Sequence, residues 1–522
     1  MSTIKKLYTH FKILSASVLF LSHFAGRAQF YNLPADYFFS LPTEKTLSEK
    51  DREVHSNVKP YIPFFSEKYR AAGDSEQVFR FIREGKLKDL LFYRHLIRVD
   101  SKAEEFKLRI DPILNFEGGG DLADSVKTRL FTNTRGIIAS GSIGGRFYFE
   151  TIFSENQSIF PNYISKMANA TQVVPGQGRW KTYKTTGYDY AFSSGFVSMQ
   201  PFKFLNLQVG HGKQKIGNGY RSLLLSDNSF NYPYARITQQ WFKGKVQYTN
   251  IYAVLMNLVP ASVVVNPNTE RLYQKKAASF QYLSINVTKY LNVGFFQGLI
   301  WQAGDARNQQ QISWQYFNPL IYSNLFTYGL DNKNNILIGG DLKCKLSNTF
   351  SFYGQFMLDN LQQSTIAESG CGVQGGFTYF DAFGVKNLFL QTEFNKVQRT
   401  SYQSPPGTGT DQSYFHYNQT LAYTPIDGEE VIFIANYKMK RFFASVRYHL
   451  QDRAADVPAN SYSLSLINAR IGYVINPSYN LNISLGMIYR KQNFYNFNAS
   501  TNETNYIYLG LKTSIYNLYY DF

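Results

Sequence analysis

Leu481-Asn-Ile-Ser-Leu-Gly-Met-Ile-Tyr-Arg490 alternates residue by residue: Leu481, Ile483, Leu485, Met487 and Tyr489 fall on one face, Asn482, Ser484 and Arg490 on the other. A β-strand turns successive side chains to opposite faces, so the stretch predicts a strand that is apolar on one side and wet on the other. Its length suits a tilted strand crossing a bilayer core, which takes about 9–11 residues. The same reading holds elsewhere. Phe147, Phe149, Thr151 and Phe153 oppose Arg146, Tyr148 and Glu150; Leu283, Ile285 and Val287 alternate with Tyr282, Ser284 and Asn286. Phe442, Ala444, Val446, Tyr448 and Leu450 oppose Phe443, Ser445, Arg447 and His449. Soluble sandwiches also alternate, but their strands average about five or six residues. About 14 to 18 such segments fit between Phe106 and Phe522, which predicts an all-β fold: a transmembrane antiparallel β-barrel.

The alternation runs on through Tyr516, Leu518, Tyr520 and Phe522. Read as a final strand, it closes onto the first and leaves no open edge. Tyr520 and Phe522 then resemble the aromatic assembly signal of bacterial outer-membrane barrels.

Composition agrees. Of 522 residues, 44% are hydrophobic, 17% aromatic and 17% charged, with 40 Tyr and 44 Phe. The charged share is below the usual value of about 25%. A mean hydropathy of -0.30 excludes a bundle of membrane helices. A barrel with an apolar outside, a polar lumen and aromatic girdles accounts for both traits.

Residues 1–28 read as a secretory signal: Lys5, Lys6 and Lys12, an apolar run from Ile13 to Phe24, and Gly26-Arg27-Ala28 as a small-x-small cleavage site. Loss of Lys5, Lys6, Lys12 and Arg27 lowers the formal charge from +17 to +13. The remaining base suits anionic lipopolysaccharide or acidic glycans, and no basic cluster sits in a nucleic-acid recognition motif. The expected location is the outer membrane. The two cysteines, Cys344 and Cys371, lie on neighbouring candidate strands, which leaves both a disulfide and two separate thiols open.

Residues 29–105 differ from 106–522. Pro34, Pro42, Pro60 and Pro63 punctuate them, and Asp74 to Val99 carries helical spacing, with Gly85 as a break. A small helical periplasmic segment at or inside the barrel mouth is expected. Polar stretches at 155–185, 259–275, 399–413 and 453–462 read as surface loops, and Val474–Asn480 as a short periplasmic turn. The run Gly118-Gly119-Gly120 reads as a turn rather than a phosphate cradle.

Two segments carry more than composition: Val209 to Arg236, with Tyr220-Arg-Ser-Leu-Leu-Leu-Ser-Asp-Asn228 at its centre, and the series Phe317-Asn-Pro319, Asp331-Asn332, Tyr353-Gly-Gln355 and Leu358-Asp359. Together they resemble the Wzi family of capsule-assembly outer-membrane proteins, in its Bacteroidetes, RemB-like gliding-motility branch. The chain departs from that pattern at His211–Gln214 and at Asn360. The resemblance implies a monomeric outer-membrane barrel closed by periplasmic helices, and a surface role in retaining capsular polysaccharide or supporting gliding.

Catalytic chemistry finds little footing. Seven histidines include no HExxH pattern, and His449 and Asp452, three apart on a strand, point to opposite faces. No enzyme activity, metal or cofactor is expected. Tyr353, Gln355 and Asp359 share the face of Phe350–Leu358 expected to line the lumen, opposite Phe350, Phe352, Phe356 and Leu358. With Trp301, Trp314, Tyr316, Asp227, Asn228 and Arg236 they supply rings to stack on sugars and amides, carboxylates and a guanidinium for hydroxyls. The same residue types also fill a barrel by pairing with one another. Two alternatives stand beside glycan retention: a porin-like channel for small hydrophilic solutes, and an accessory subunit of a secretion or adhesin-export complex.

Overall fold

The structure, a computed structural model, describes residues 36–61, 86–101, 105–144, 146–260, 273–302, 314–328, 334–359, 370–404, 411–424, 427–453, 461–495 and 501–522. The expected signal at 1–28, the Asp74–Gly85 part of the expected helix, and Asn360 lie outside the described residues.

Eighteen antiparallel strands close into one barrel, each paired with the next in chain order, from Phe106–Asp121 to Thr501–Thr513. The seam closes by register from Tyr506 opposite Asp121 to Lys512 opposite Asn115. Closure satisfies the edge groups that an open sheet would expose. One end carries tight turns, such as those joining strands that end at Ile143 and Met439 to strands that begin at Phe147 and Phe442; the other carries the long connections. In barrels of this kind short turns face the periplasm.

The period-two reading fixes the faces correctly. Along Phe350–Asp359, Phe352 and Phe356 are exposed while Tyr353, Gln355 and Asp359 are buried. Phe356, near the middle of its strand, faces outward at 54% exposure. Phe356→Lys is expected to cost about 2–4 kcal/mol in lipid, the cost of a cation near the bilayer midplane. Urea unfolding in lipid vesicles measures this, and a cost near zero would place that face in water.

Four expectations are corrected. The last strand ends at Thr513, and residues 514–522 are not in the wall. Tyr520 and Phe522 therefore do not end a final strand; they pack inside, against Phe160 and Tyr163. The expected helix shrinks to Lys86–Phe92 among the described residues, and Ile97–Ser101 is a strand on the start of Phe106–Asp121. Gly118–Gly120 lie within a strand; a Cβ on Gly119 would strike the Ile507 carbonyl across the seam, so close approach explains that glycine. The stretch 155–185 also holds a helix, Asn162–Thr171, and a short strand, Trp180–Tyr183. Both cysteines are free. Cys344 pairs with Phe352 and Cys371 with Leu358, about 20 Å apart along the strand between them, beyond disulfide reach.

Candidate functional site: the plugged lumen

The connection between strands Leu205–Gly212 and Tyr232–Trp241 folds into the barrel instead of outward. Its Lys215–Ile216 pairs antiparallel with Val58–Lys59 from the N-terminal segment. Gly217 sits at φ +139°, and a Cβ there would collide with the Gln355 amide, so a side chain is excluded twice over. Ser222 Oγ then accepts from the Leu224 and Leu225 backbone N–H groups (3.2 and 3.3 Å) and folds the turn tight. Leu223, Leu224 and Leu225 are fully buried in an inner core with Tyr232, Phe280, Phe296, Tyr402 and Tyr414.

Wall side chains hold this loop by its backbone. Glu393 accepts from the N–H groups of Tyr220 (2.7 Å) and Arg221 (3.0 Å) and from the Tyr353 hydroxyl (2.7 Å). Gln355 accepts from Leu223 N–H (2.9 Å) and donates to the Ile216 carbonyl (3.1 Å). The 411–424 segment and its neighbour Tyr402 press from the far side: the hydroxyls of Tyr402 and Tyr414 donate to the Leu223 and Leu224 carbonyls (2.9 and 2.7 Å).

Arg221 is the hub. It donates through Nε and Nη2 to Glu430 (3.1 and 2.8 Å) and through Nη1 to Asp521 (3.0 Å). Tyr220 also donates its hydroxyl to Asp521, and Arg447 donates to that hydroxyl at 2.5 Å. His449 completes the cluster, with Nδ1 3.0 Å from Glu430 and Nε2 3.2 Å from Asp521; the second contact is electrostatic, its angle being too poor for a hydrogen bond. Burial alone would raise the Asp521 carboxyl, but Arg221, His449 and Arg447 outweigh it and hold it far below the usual carboxylate range. His449 is sealed from solvent, so the cluster clamps the tail at 514–522.

The same tail reaches Asp227, which accepts from Asn517 Nδ2 (2.9 Å) and the Tyr519 hydroxyl (2.8 Å). Burial raises that carboxyl too, and the neighbouring Lys215, Asn517, Lys213 and Tyr519 bring it back below its ordinary value. At the short-turn end the N-terminal segment is held to strand Asn335–Lys345. Lys343 donates to the hydroxyls of Ser48 and Ser56, and Lys345 to the carbonyls of Leu47 and Arg52.

The expected glycan residues separate into two places. Tyr353, Gln355, Asp359, Asp227 and Arg236 are buried in the lumen: Asp227 belongs to the plug, Tyr353 bonds to the wall residues Glu393 and Gln391, Asp359 accepts from Tyr402 N–H, and Arg236 donates to Gln214 (2.9 Å) and the Pro60 carbonyl (3.2 Å). Asn228 is half-buried beside them. Trp301 and Tyr316 stack on each other at 4.2 Å on the outward face of the wall. The Trp314 side chain lies outside the described residues. Sequence reasoning missed Arg221, Glu393, Glu430 and Asp521. The signal was present for Arg221 and Asp521: a guanidinium inside an otherwise apolar motif, and an acid in the aromatic tail.

A cavity of about 350 Å³ remains toward the short-turn mouth, lined by Tyr37, Glu44, Lys59, Tyr148, Glu150 and Lys213 among others. A second, of about 120 Å³, lies beside the seam strands. Ile515 and Tyr516 of the tail line both. Among the described residues, no group of His, Cys, Asp and Glu is arranged to hold a metal ion.

No family model matches the chain, and no curated protein sequence does. Among solved structures it is similar to Wzi of Escherichia coli, an outer-membrane protein involved in group 1 capsule assembly and described as a carbohydrate-binding β-barrel. That likeness has a TM-score of 0.53 at 13% identity and covers 93% of this chain and 100% of that one. The chain is an outer-membrane β-barrel. Pseudomonas aeruginosa OpdK, solved with vanillate, is more distant, with a TM-score of 0.46 at 10% identity over 77% of this chain and 98% of that one. So is a BenF-like porin from Pseudomonas fluorescens, at 0.45 and 10% over 78% and 97%. At these identities the likeness speaks for the fold alone.

Proposed function

We propose that this barrel is a non-enzymatic cell-surface assembly protein that retains an extracellular polysaccharide. The observation that carries this reading is the filled lumen: the described segments 36–61, 213–231, 401–404, 411–424 and 514–522 bond to one another and to the wall where a diffusion channel would hold water. Support also comes from the Wzi likeness, whose counterpart is described as binding carbohydrate. In this reading Tyr353, Gln355, Asp359 and Arg236 on the wall and Asp227 within loop 213–231 brace the plug, and sugar contacts are made where the long connections leave the barrel. A role in gliding rests on the sequence resemblance only.

Capsule from the same cell, presented to the purified protein on a glycan array or in a pull-down, is expected to bind. A deletion strain is expected to shed capsule into the medium. Unchanged capsule retention together with absent binding would overturn the reading, and unchanged spreading of that strain would remove the gliding role. A second reading, a gated solute path, is favoured by one observation: Ile515 and Tyr516 of the tail line both cavities. Conductance decides between the two.

A further inference from the structure

Tyr248, Asn250, Ser279, Gln281, Gln297, Leu299 and Trp301 face outward on three neighbouring spanning strands yet are buried, against the pattern of the wall. Their alternating partners Ile251, Phe280 and Phe296 belong to the inner core, so strand parity places these side chains outside. Asn250 stands opposite Gln281, and Gln281 opposite Gln297. Three amides thus form a ladder across the wall, and bare amides facing hydrocarbon are costly.

Residues 314–328 cover them, as a 3-10 turn, Trp314–Phe317, and a short helix, Ser323–Tyr328. Three successive carbonyls of this segment accept from the wall: Phe317 from the Tyr252 hydroxyl (3.1 Å), Asn318 from Gln281 Nε2 (2.6 Å), and Pro319 from the Tyr248 hydroxyl. Pro319 has no N–H to satisfy. Leu320 N–H donates to Asn318 Oδ1 (3.1 Å), Ser323 N–H to the Leu320 carbonyl (3.2 Å), and Phe326 N–H to the Tyr322 carbonyl (3.1 Å). Irregular backbone is normally barred from lipid because its polar groups go unmet, and here the wall and the segment itself meet those just named, while Oδ1 of Asn250 and Oε1 of Gln281 and Gln297 stay buried under the segment without a partner. The other side of the segment is apolar: Leu320 is 67% and Phe326 84% exposed. Height agrees, since Tyr248 and Asn250 lie about 7–13 Å along their strand from its start at the short turn, within the apolar band of about 25 Å.

We infer that residues 314–328 form a flap lying on the outer wall inside the bilayer, closed on the amide ladder, with Leu320 and Phe326 in contact with lipid acyl chains. The test uses the full chain with Cys344→Ser and Cys371→Ser, carrying single cysteines at Leu320→Cys or Phe326→Cys labelled with an environment-sensitive fluorophore. In phosphatidylcholine vesicles containing acyl-chain nitroxides, both labels are expected to be quenched as strongly as one at Phe356→Cys and to be indifferent to iodide. A label at Lys166→Cys, on the exposed side of helix Asn162–Thr171, provides the aqueous control. Adding Tyr252→Phe and Gln281→Leu is expected to release the flap, so that the Leu320→Cys label becomes iodide-accessible while the Phe356→Cys label does not change. Iodide quenching at both flap positions in the otherwise native chain overturns the inference. So does shielding from both quenchers, which would mean that protein, not lipid, covers this face.

Discussion

Arg221→Ala is expected to turn a closed barrel into a leaky, less stable one. Arg221 neutralises two buried carboxylates at once, Glu430 on the wall and Asp521 on the tail, with side-chain exposures of 5%, 0% and 3% for the three groups. Removing one partner of a buried ion pair leaves the other charge without compensation and typically costs about 3–5 kcal/mol. Here the two stranded acids would share the His449 ring, 3.0 Å from Glu430 and 3.2 Å from Asp521, while Arg447, 3.9 Å from Asp521, reaches only one of them. The penalty therefore falls on the contact that holds the tail in the lumen, and the tail lines both cavities. Planar-bilayer recording is expected to show no steady conductance for the native chain and fluctuating conductance for the variant, together with a lower unfolding temperature in detergent. Arg221→Lys is expected to fall between them, because an ammonium cannot reproduce the fork that reaches both acids. A variant as silent and as stable as the native protein would refute the clamp. The sign with pH follows from Asp521: its folded value lies below the unfolded value of about 3.9, so its contribution is complete at neutral pH. It is lost only as pH falls below that unfolded value toward the lower folded one.

The wall was legible in the sequence because period two is a local signal. Phe352 and Phe356 against Tyr353 and Gln355 need no knowledge of what fills the lumen. The tail shows where that signal stops. Tyr516, Leu518 and Tyr520 do alternate with Asn517, Tyr519 and Asp521, and the structure keeps the alternation: the first set lines a cavity, and Asn517, Tyr519 and Asp521 bond to Asp227 and Arg221. Alternation reports an extended chain between two unlike surroundings; it does not say whether the apolar one is lipid or a core. Ile97–Ser101 was hidden for a related reason, since its five residues have the strand ladder of 106–110 as their main support. The candidate site was legible by residue type and face, not by role. Gln355 and Asp359 do point inward, but what they meet is loop backbone brought from 132 and 43 residues away, pairings that no local pattern encodes.

Acid is expected to loosen the plug through two histidines. His55 accepts from the Ser284 hydroxyl at Nδ1 (2.7 Å) and donates from Nε2 to the Gly244 carbonyl (2.8 Å), tying the N-terminal segment to the short-turn end. His416 accepts from Met256 N–H at Nδ1 (3.0 Å) and donates from Nε2 to the Asn231 carbonyl (3.0 Å), tying 411–424 to the wall. Both rings are neutral with both nitrogens occupied, so a second proton would displace an existing donor. Burial lowers His55 to about 4 and His416 to about 3, and for His416 the nearby Lys276 adds to the effect. The unfolded chain titrates these groups near 6.5, so between that value and the folded ones it binds more protons than the native state does. The histidine contribution to stability is therefore complete above about pH 6.5 and declines as pH falls toward 4, by at most about 3 kcal/mol for His55 and somewhat more for His416 at about 1.36 kcal/mol per pH unit. Asp521 adds nothing in that window, since its own loss begins lower. The fall in unfolding temperature from pH 7 to pH 4.5 is expected to be larger for the native barrel than for a His55→Gln, His416→Gln double variant. An undiminished acid sensitivity in that variant would place the response elsewhere.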